Sequence, residues 1–457
     1  MWTAIRKDDY IQFLECYPQL LEYGVDIILG TNGAYNFLPK FIYENFPHPK
    51  LVKLQDPTFE PIYYNDLKFV GELRPDQYGM VLPFEQSFKM NHSMHGCLKA
   101  RPGAGKTVMG TYFGCVFKCA TLIIINNSVL HSQWVNAIKT FTNCPEENIG
   151  LIQGNSFKTE NCPFVIGMVQ TFLSRIKNDM ENGSTEFYDK VRKCGFNLVL
   201  YDECHHTSSG IKYATSTLSL NTNNIVGLSA TPFVTGLHEV LMNNTVGNVI
   251  SDTSNYELKP KVVLLKFNSG MTEKYAKSML HMPDMLKQRA KYNSFITNSP
   301  QYINLICKLN QHILKDGHRL LNIFFTKKQV GIISKSLTEL NIPNIQFFSE
   351  QRTLDKSLDK NLVATYHFAG EGFDYAQLSA LLLAVPLSGR KSLTQVIGRI
   401  LREHDNKRPP LVIILIDMAF SFVFAKDIPR IRNIIQTEFS CEVEEMYDQE
   451  YFDKYVK

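Results

Sequence analysis

The 457-residue sequence contains no run of 18 or more apolar residues, and none of its ten cysteines belongs to a C-x-x-C pair. The first absence excludes a helix spanning a bilayer. The second, with no Cys/His grouping at zinc-finger spacing, leaves scattered buried thiols in a reducing compartment as the expected state. The N-terminus, MWTAIRKDDYIQFLECYPQL, interleaves charged with apolar residues and has no apolar core of a secretory signal, so the chain is expected to stay where it is made. Excess charge is also scarce. With 48 Lys and Arg against 44 Asp and Glu, the net charge of +4 suits a polyanionic partner but is too mild to argue for one alone. There is no internal repeat, no low-complexity tail and no P-D…E-x-K cluster, which argues against an intrinsic nuclease.

What is present is the composition of a globular protein, 44% apolar and 20% charged, on a chain about three times the ~150 residues of one typical domain. Short β-branched apolar runs alternate with longer helix-like segments. The first set comprises TLIIIN (121–126), FVIGMV (164–169), NLVLYDE (197–203) and NIVGLSA (224–230). The second comprises LLNIFFT (320–326), NIQFFS (344–349), NLVATYH (361–367), SALLLAV (379–385) and LVIILID (411–417). Continuous runs of this kind belong to strands buried on both faces, and their alternation with helices predicts an α/β chain with two doubly wound parallel sheets. ISDTSNYELKPKVV (250–263) reads as the linker between them. The expected domains are 1–66, a small accessory domain; 67–255, a first α/β domain; and 256–457, a second α/β domain.

The stretch KARPGAGKTVMG (99–110) follows the G-x-x-x-x-G-K-[ST] pattern of a phosphate loop, with Ala100 in place of the first glycine. Such a loop needs permissive residues so that backbone N–H groups turn inward, a helix N-terminus behind them, a lysine for the outer phosphates and a hydroxyl for Mg²⁺. Gly103, Ala104 and Gly105 supply the turn, Lys106 the charge and Thr107 the hydroxyl. Ala100 suffices where its φ is negative. About a hundred residues on, NLVLYDECHH delivers Asp202 and Glu203 to the C-terminal end of a predicted strand, where ligands of parallel sheets bind. One carboxylate can hold Mg²⁺ and the other orient or deprotonate a water.

These segments resemble the motifs of superfamily 2 helicases and translocases of the D-E-x-H kind, in family order over roughly residues 70–418. ELRPDQYGMV resembles the element in which a glutamine, here Gln77 with Arg74 beside it, reads adenine. IIINNSVLHSQW resembles motif Ia, GMVQTF motif Ib, DECH motif II, LSATP motif III, FAGEGFDYAQ motif V and QVIGRILR motif VI. The resemblance implies two RecA-like domains, ATP and Mg²⁺ (Thr107, Asp202) as cofactors, and Arg402 as the arginine finger with Arg399 and Gln395 as neighbours. Arg399 and Arg402, three apart, are expected on one face of a helix. It also implies that Gly372 and Asp374 organise the nucleotide cleft and that His205 links it to motif VI. Ser229 and Thr231 either couple nucleotide state to lobe closure or simply end a strand. Thr171 and the backbone near Asn127 and Ser128 are candidates for nucleic-acid backbone contacts. Trp134 either stacks a base or, the favoured reading, packs on its own sheet.

The pairing of LRPDQ with SQW and QVIGRILR most resembles the XPB-like branch, which includes phage UvsW-type branch-migration helicases and poxvirus-type transcript-release helicases. The branch implies an ATP-dependent DNA helicase that remodels forked or branched DNA, with duplex or single-stranded DNA as partner. A transcript-release or RNA helicase, or a DNA-binding subunit of a larger complex, stands as the alternative. Replication, recombination or transcription proteins are the expected protein partners. A cytoplasmic location, or a nucleoid or virus factory for a viral chain, follows, with no membrane partner.

Overall fold

The computed structural model describes the chain apart from residues 1, 55, 92, 102, 205–213, 231–235, 254–257, 273–274, 276–277, 279–284, 348–360, 367–374, 403, 405–406 and 456–457. Two compact units divide it, Met1–Ser254 and Asn255–Lys457.

The first unit opens on β1 (Trp2–Arg6), β2 (Gly30–Asn32), β3 (Tyr35–Leu38) and β4 (Val52–Leu54), a sheet ordered β2-β3-β1-β4 in which each pairing is antiparallel. Its core of Ile5, Phe13, Leu29, Leu38 and Ile42 continues into Ala214 and Leu241, so module and lobe share buried surface. Lys40 Nζ donates to the Leu220 carbonyl at 2.9 Å and the Trp2 indole to the Leu218 carbonyl at 2.8 Å.

The lobe itself is built on β5 (His95–Ala100), β6 (Thr121–Ile125), β7 (Ile149–Gln153), β8 (Ser156–Lys158), β9 (Phe164–Met168), β10 (Leu198–Asp202), β11 (Ile225–Ser229) and β12 (Val249–Thr253). Their order is β12-β5-β11-β10-β6-β9-β7-β8, parallel except for the β7–β8 hairpin. Every residue of β6, β10 and β11 is buried, as uninterrupted Ile/Leu/Val runs require when helices cover both faces. One face packs Phe84, Phe113, Trp134 and Phe164, and the other Leu122, Phe172, Val199 and Tyr201. Each such aromatic contributes on the order of 2–3 kcal/mol by leaving water.

The second unit holds β13 (Lys261–Phe267), β14 (Leu320–Phe324), β15 (Asn344–Phe347), β16 (Asn361–Thr365), β17 (Ala380–Leu383), β18 (Leu411–Asp417) and β19 (Val443–Tyr447), ordered β15-β16-β14-β17-β18-β13-β19 with all pairings parallel. Asn322 on β14 and Asn361 on β16 bond to each other and to Asn310 on helix Pro300–Lys315, all three fully buried, so each of these amides has partners.

The 250–263 stretch is therefore not all linker. Its first residues complete β12 in the first unit and its last begin β13 in the second. A parallel partner on β5 or β18 supplies the hydrogen bonds that these locally polar segments could not signal.

Candidate active site

The C-terminal ends of β5, β10 and β11 lie side by side, with Ser229 in register with Lys99 and Asp202 with Leu228. β5 runs into the glycine loop. Ala100 is its last, fully buried residue and is absent from the positive-φ positions, so no glycine is needed there. Gly103 and Gly105 have φ of 84° and 83°, a conformation that favours glycine, and the helix Lys106–Phe117 starts directly afterwards. A Cβ at Gly105 would lie 2.3 Å from Gln77 Nε2. Both ends of the Gln77 amide are bonded, Nε2 donating to the Ala104 carbonyl at 2.9 Å and Oε1 accepting from the Arg74 N–H at 3.0 Å. Arg74 Nη2 donates to the same Ala104 carbonyl at 3.1 Å, so helix Pro75–Asn91 and the residue before it are bonded to the loop.

Opposite the loop, Lys106 Nζ lies 3.6 Å from Glu203 Oε1. Glu203 follows β10 with φ of 51°, an uncommon conformation for a non-glycine residue. Its N–H donates to Asp202 Oδ1 at 2.9 Å, and the Trp134 indole N–H donates to Asp202 Oδ2 at 2.8 Å. Burial, and then the Glu203 charge, push the Asp202 carboxyl up to about 6, against the pull of Lys106 and the Trp134 bond. A buried acid held partly protonated beside a second acid and a lysine is the donor set a divalent cation and a polyphosphate together would neutralise. The open backbone at Gly103 and Gly105, the helix N-terminus, Lys106, Thr107 and Asp202 thus fit a Mg²⁺–nucleoside triphosphate.

Known proteins resemble the chain over the span that contains these residues. The family described as "Type III restriction enzyme, res subunit" matches residues 71–234, the span that carries the loop and both carboxylates. L396 of Acanthamoeba polyphaga mimivirus, named with the ATP-dependent RNA helicases, is 25% identical over 85% of this chain and 72% of its own length. The transcript termination protein A18 of fowlpox virus is 22% identical over 71% of this chain and 70% of its own. The ATP-dependent DNA helicase uvsW of Enterobacteria phage T4 is 23% identical over 69% and 64%. Over most of its length the chain thus resembles helicases of superfamily 2. The fold also matches solved S. cerevisiae Dbp5 bound to RNA and ADP BeF3, with TM-score 0.54 and 14% identity over 84% of this chain and 96% of that one.

The other residues expected from the sequence fall as follows. Ser229 is the fully buried last residue of β11, and Thr231 lies outside the described residues, as do His205, Gly372 and Asp374. The Thr171 hydroxyl is buried and accepts from the Gly154 N–H at 2.9 Å. Asn127 caps helix Ser128–Phe141, its side chain accepting from the N–H groups of Val129 and Leu130. Trp134 is fully buried under that helix, its ring occupying the space where a Cβ on Gly110 would sit 2.5 Å away, so it cannot stack a base. Instead it fixes Asp202, a role the packing reading did not extend to.

In the second unit, Gln395 is buried and Arg399 lies in helix Arg390–Ile400. Arg402 lies beyond the helix end, in the following turn, so the two arginines do not share a helical face as the spacing suggested. Leu401, already non-helical, closes the helix. Burial lowers the Arg402 guanidinium to about 10. Lys407, missed in the sequence, donates to the Arg402 carbonyl at 2.5 Å and to the Ala376 carbonyl at 3.1 Å, and burial followed by the Arg402 charge lowers it to about 8. No residue type or spacing in KRPP marks it. Among the described residues no helix is long and apolar enough to cross a membrane, and no group of three or more His, Cys, Asp or Glu side chains is placed to hold a metal.

Proposed function

We propose that this chain is an ATP-driven motor that remodels or unwinds branched DNA, such as forks and junctions. The meeting of Lys106, Asp202 and Glu203 beside the Gly103–Gly105 turn carries the reading. ATP would be held by the loop N–H groups and the first turn of the following helix, with Lys106 on the outer phosphates. Mg²⁺, held by Thr107 and Asp202, would neutralise charge on the β- and γ-phosphoryl oxygens.

The ion pair between Lys106 and Glu203 gives binding a chemical consequence. When Lys106 turns to the phosphates its pairing with Glu203 weakens, and Glu203 would orient and deprotonate the attacking water. Charge developing on the γ-phosphoryl group falls to Arg402, with Arg399 and Gln395 as its neighbours and Lys407 adding a second cation. Gln77 and Arg74 would read adenine after exchanging part of their bonding to Ala104. Ser229, Thr231, His205, Gly372 and Asp374 are assigned to coupling and to the cleft by motif resemblance. Domains 67–255 and 256–457 would be the two motor lobes.

Residues 1–66 carry five basic against nine acidic residues, a net of −4, which leaves +8 on the rest. A module of that sign repels a polyanion, so any part it plays in choosing DNA structure is by shape and position. The printed names of the mimivirus and fowlpox relatives favour a second reading, action on RNA or on transcripts. Replication or recombination proteins are the partners under the first reading and transcription proteins under the second.

The test is the ATPase rate with no nucleic acid, single-stranded DNA, duplex DNA, a DNA junction and single-stranded RNA, each beside Lys106→Ala. Strongest stimulation by the junction supports the proposal. Strongest stimulation by RNA replaces it with the second reading, and a wild-type rate equal to Lys106→Ala throughout sinks both.

A further inference from the structure

β11 runs between β5 and β10, and Gly227 stands at its centre, in register with Cys97 on one side and Tyr201 on the other. A side chain there would collide with Cys204, because a Cβ on Gly227 would lie 2.8 Å from Cys204 Sγ and 2.9 Å from Cys204 Cβ. The bare glycine leaves room for two thiols from strands that are not neighbours to meet over it. Cys97 Sγ lies 3.4 Å from Cys204 Sγ. Both are free thiols and fully buried, in one apolar cluster with Leu122, Val199, Ile225 and Val246.

The two cysteines are held differently. Cys97 sits inside β5 with a paired strand on each side, facing Gly227 of β11 and Val249 of β12. Cys204 lies two residues past the end of β10 and directly after Glu203, whose φ is 51°. The sulfurs of a disulfide stand ~2.05 Å apart, so bonding this pair would close the 3.4 Å gap by about 1.4 Å. The segment beyond β10 takes up that movement, and Glu203 is the next residue along it. A displacement of about 1 Å at a reacting group costs on the order of a hundred-fold in rate.

We propose that Cys97 and Cys204 form an oxidative modification site, at which hydrogen peroxide joins the two sulfurs and draws Glu203 out of position, stopping ATP hydrolysis until a thiol reductant restores it. It rests on the reading of Glu203 as the residue that activates water. One sulfur attacks a peroxide oxygen, the O–O bond breaks, and a sulfenic acid forms while the thiol proton leaves with the departing oxygen as water. The second sulfur attacks the sulfenic sulfur, the S–O bond breaks, and its proton leaves with that oxygen as a second water. Two thiols are thereby oxidised by two electrons and one peroxide is reduced to two waters. A dithiol reductant reverses the bond by exchange. The neighbouring Cys97 sulfur, and then burial, push the Cys204 thiol well up, so thiolate is scarce and the site answers sustained rather than brief exposure.

The experiment exposes the reduced full chain to rising hydrogen peroxide, removes the excess with catalase and takes two readouts. One is ATP turnover with the nucleic acid that stimulates it most. The other is the Cys97–Cys204 linked peptide, detected by mass spectrometry after free thiols are blocked. In wild type, linked peptide and lost turnover should rise together to a loss of about ten-fold or more, and a dithiol reductant should reverse both. Cys97→Ala, with folding checked by thermal melt, should keep its turnover through the same exposure. Turnover lost by Cys97→Ala as in wild type, a wild-type loss without the linked peptide, or a linked peptide formed with turnover intact overturns the proposal. If Cys97→Ala fails to fold, Cys97→Ser takes its place, and the wild-type correlation decides by itself. Reduced Glu203→Gln that turns over like wild type removes the catalytic reading of Glu203 instead, and the proposal with it.

Discussion

Trp134→Phe should move the acid limb of the ATPase pH profile without touching the nucleotide. The indole N–H donates to Asp202 Oδ2 at 2.8 Å in a buried setting, and it stabilises the ionised carboxylate more than the acid. A hydrogen bond to a charged group contributes about 1.5–3 kcal/mol, or about one to two pKa units at 1.36 kcal/mol each. Asp202 stands at about 6 with the bond in place. Phenylalanine fills most of the ring volume and has no N–H, so the limb should rise to roughly 7–8. Near pH 6.5 the ionised fraction then drops from about three-quarters to about one-tenth, a loss of roughly seven-fold in kcat/KM. The assay is kcat/KM for ATP between pH 5 and 9 at fixed, sub-saturating Mg²⁺, with a thermal melt to confirm folding. Superimposable limbs for a folded variant would refute both the bond's role and the assignment of Asp202 to the limb.

Gly105→Ala should abolish ATP binding while leaving a folded chain. The φ of 83° costs alanine about 1–2 kcal/mol, and the new Cβ would break the Gln77–Ala104 bond. Nucleotide titration measures it, and unchanged affinity would show that the loop is not the cradle. Lys40 is buried, and burial lowers its ammonium to about 7 from an ordinary 10.5. The folded chain then binds fewer protons than the unfolded one between those values, so the burial penalty is full below pH 7 and fades as pH rises. The stability of Lys40→Met relative to wild type should therefore fall between pH 7 and 10 in thermal melts, and a constant difference would refute the assignment.

Much of this was legible in the sequence, and the reasons are local. TLIIIN, NLVLYDE, NIVGLSA and LVIILID announced buried strands because parallel sheets demand unbroken apolar runs, and the structure places strands in each. The D-E pair and the glycine loop could be placed together because both sit at strand ends of one sheet. Other features depend on distant partners. β12 carries Ser251 and Asp252 and looked like linker until β5 and Met80 supplied its bonds. The Trp134–Asp202 bond joins residues 68 positions apart, and no spacing rule reports it. Arg402 fell outside its helix because the turn begins at Leu401, and helix ends are the least sequence-determined part of a helix. The positive φ of Glu203, which accompanies its approach to Lys106, is likewise invisible in the letters D-E-C-H.

The central claim is that Lys106 and Glu203 hydrolyse ATP, and steady-state hydrolysis with parallel ATP binding by wild type, Lys106→Ala and Glu203→Gln tests it most directly. The account predicts turnover only in wild type, with Glu203→Gln still binding ATP within a few-fold of it. Wild-type turnover by either variant would contradict it.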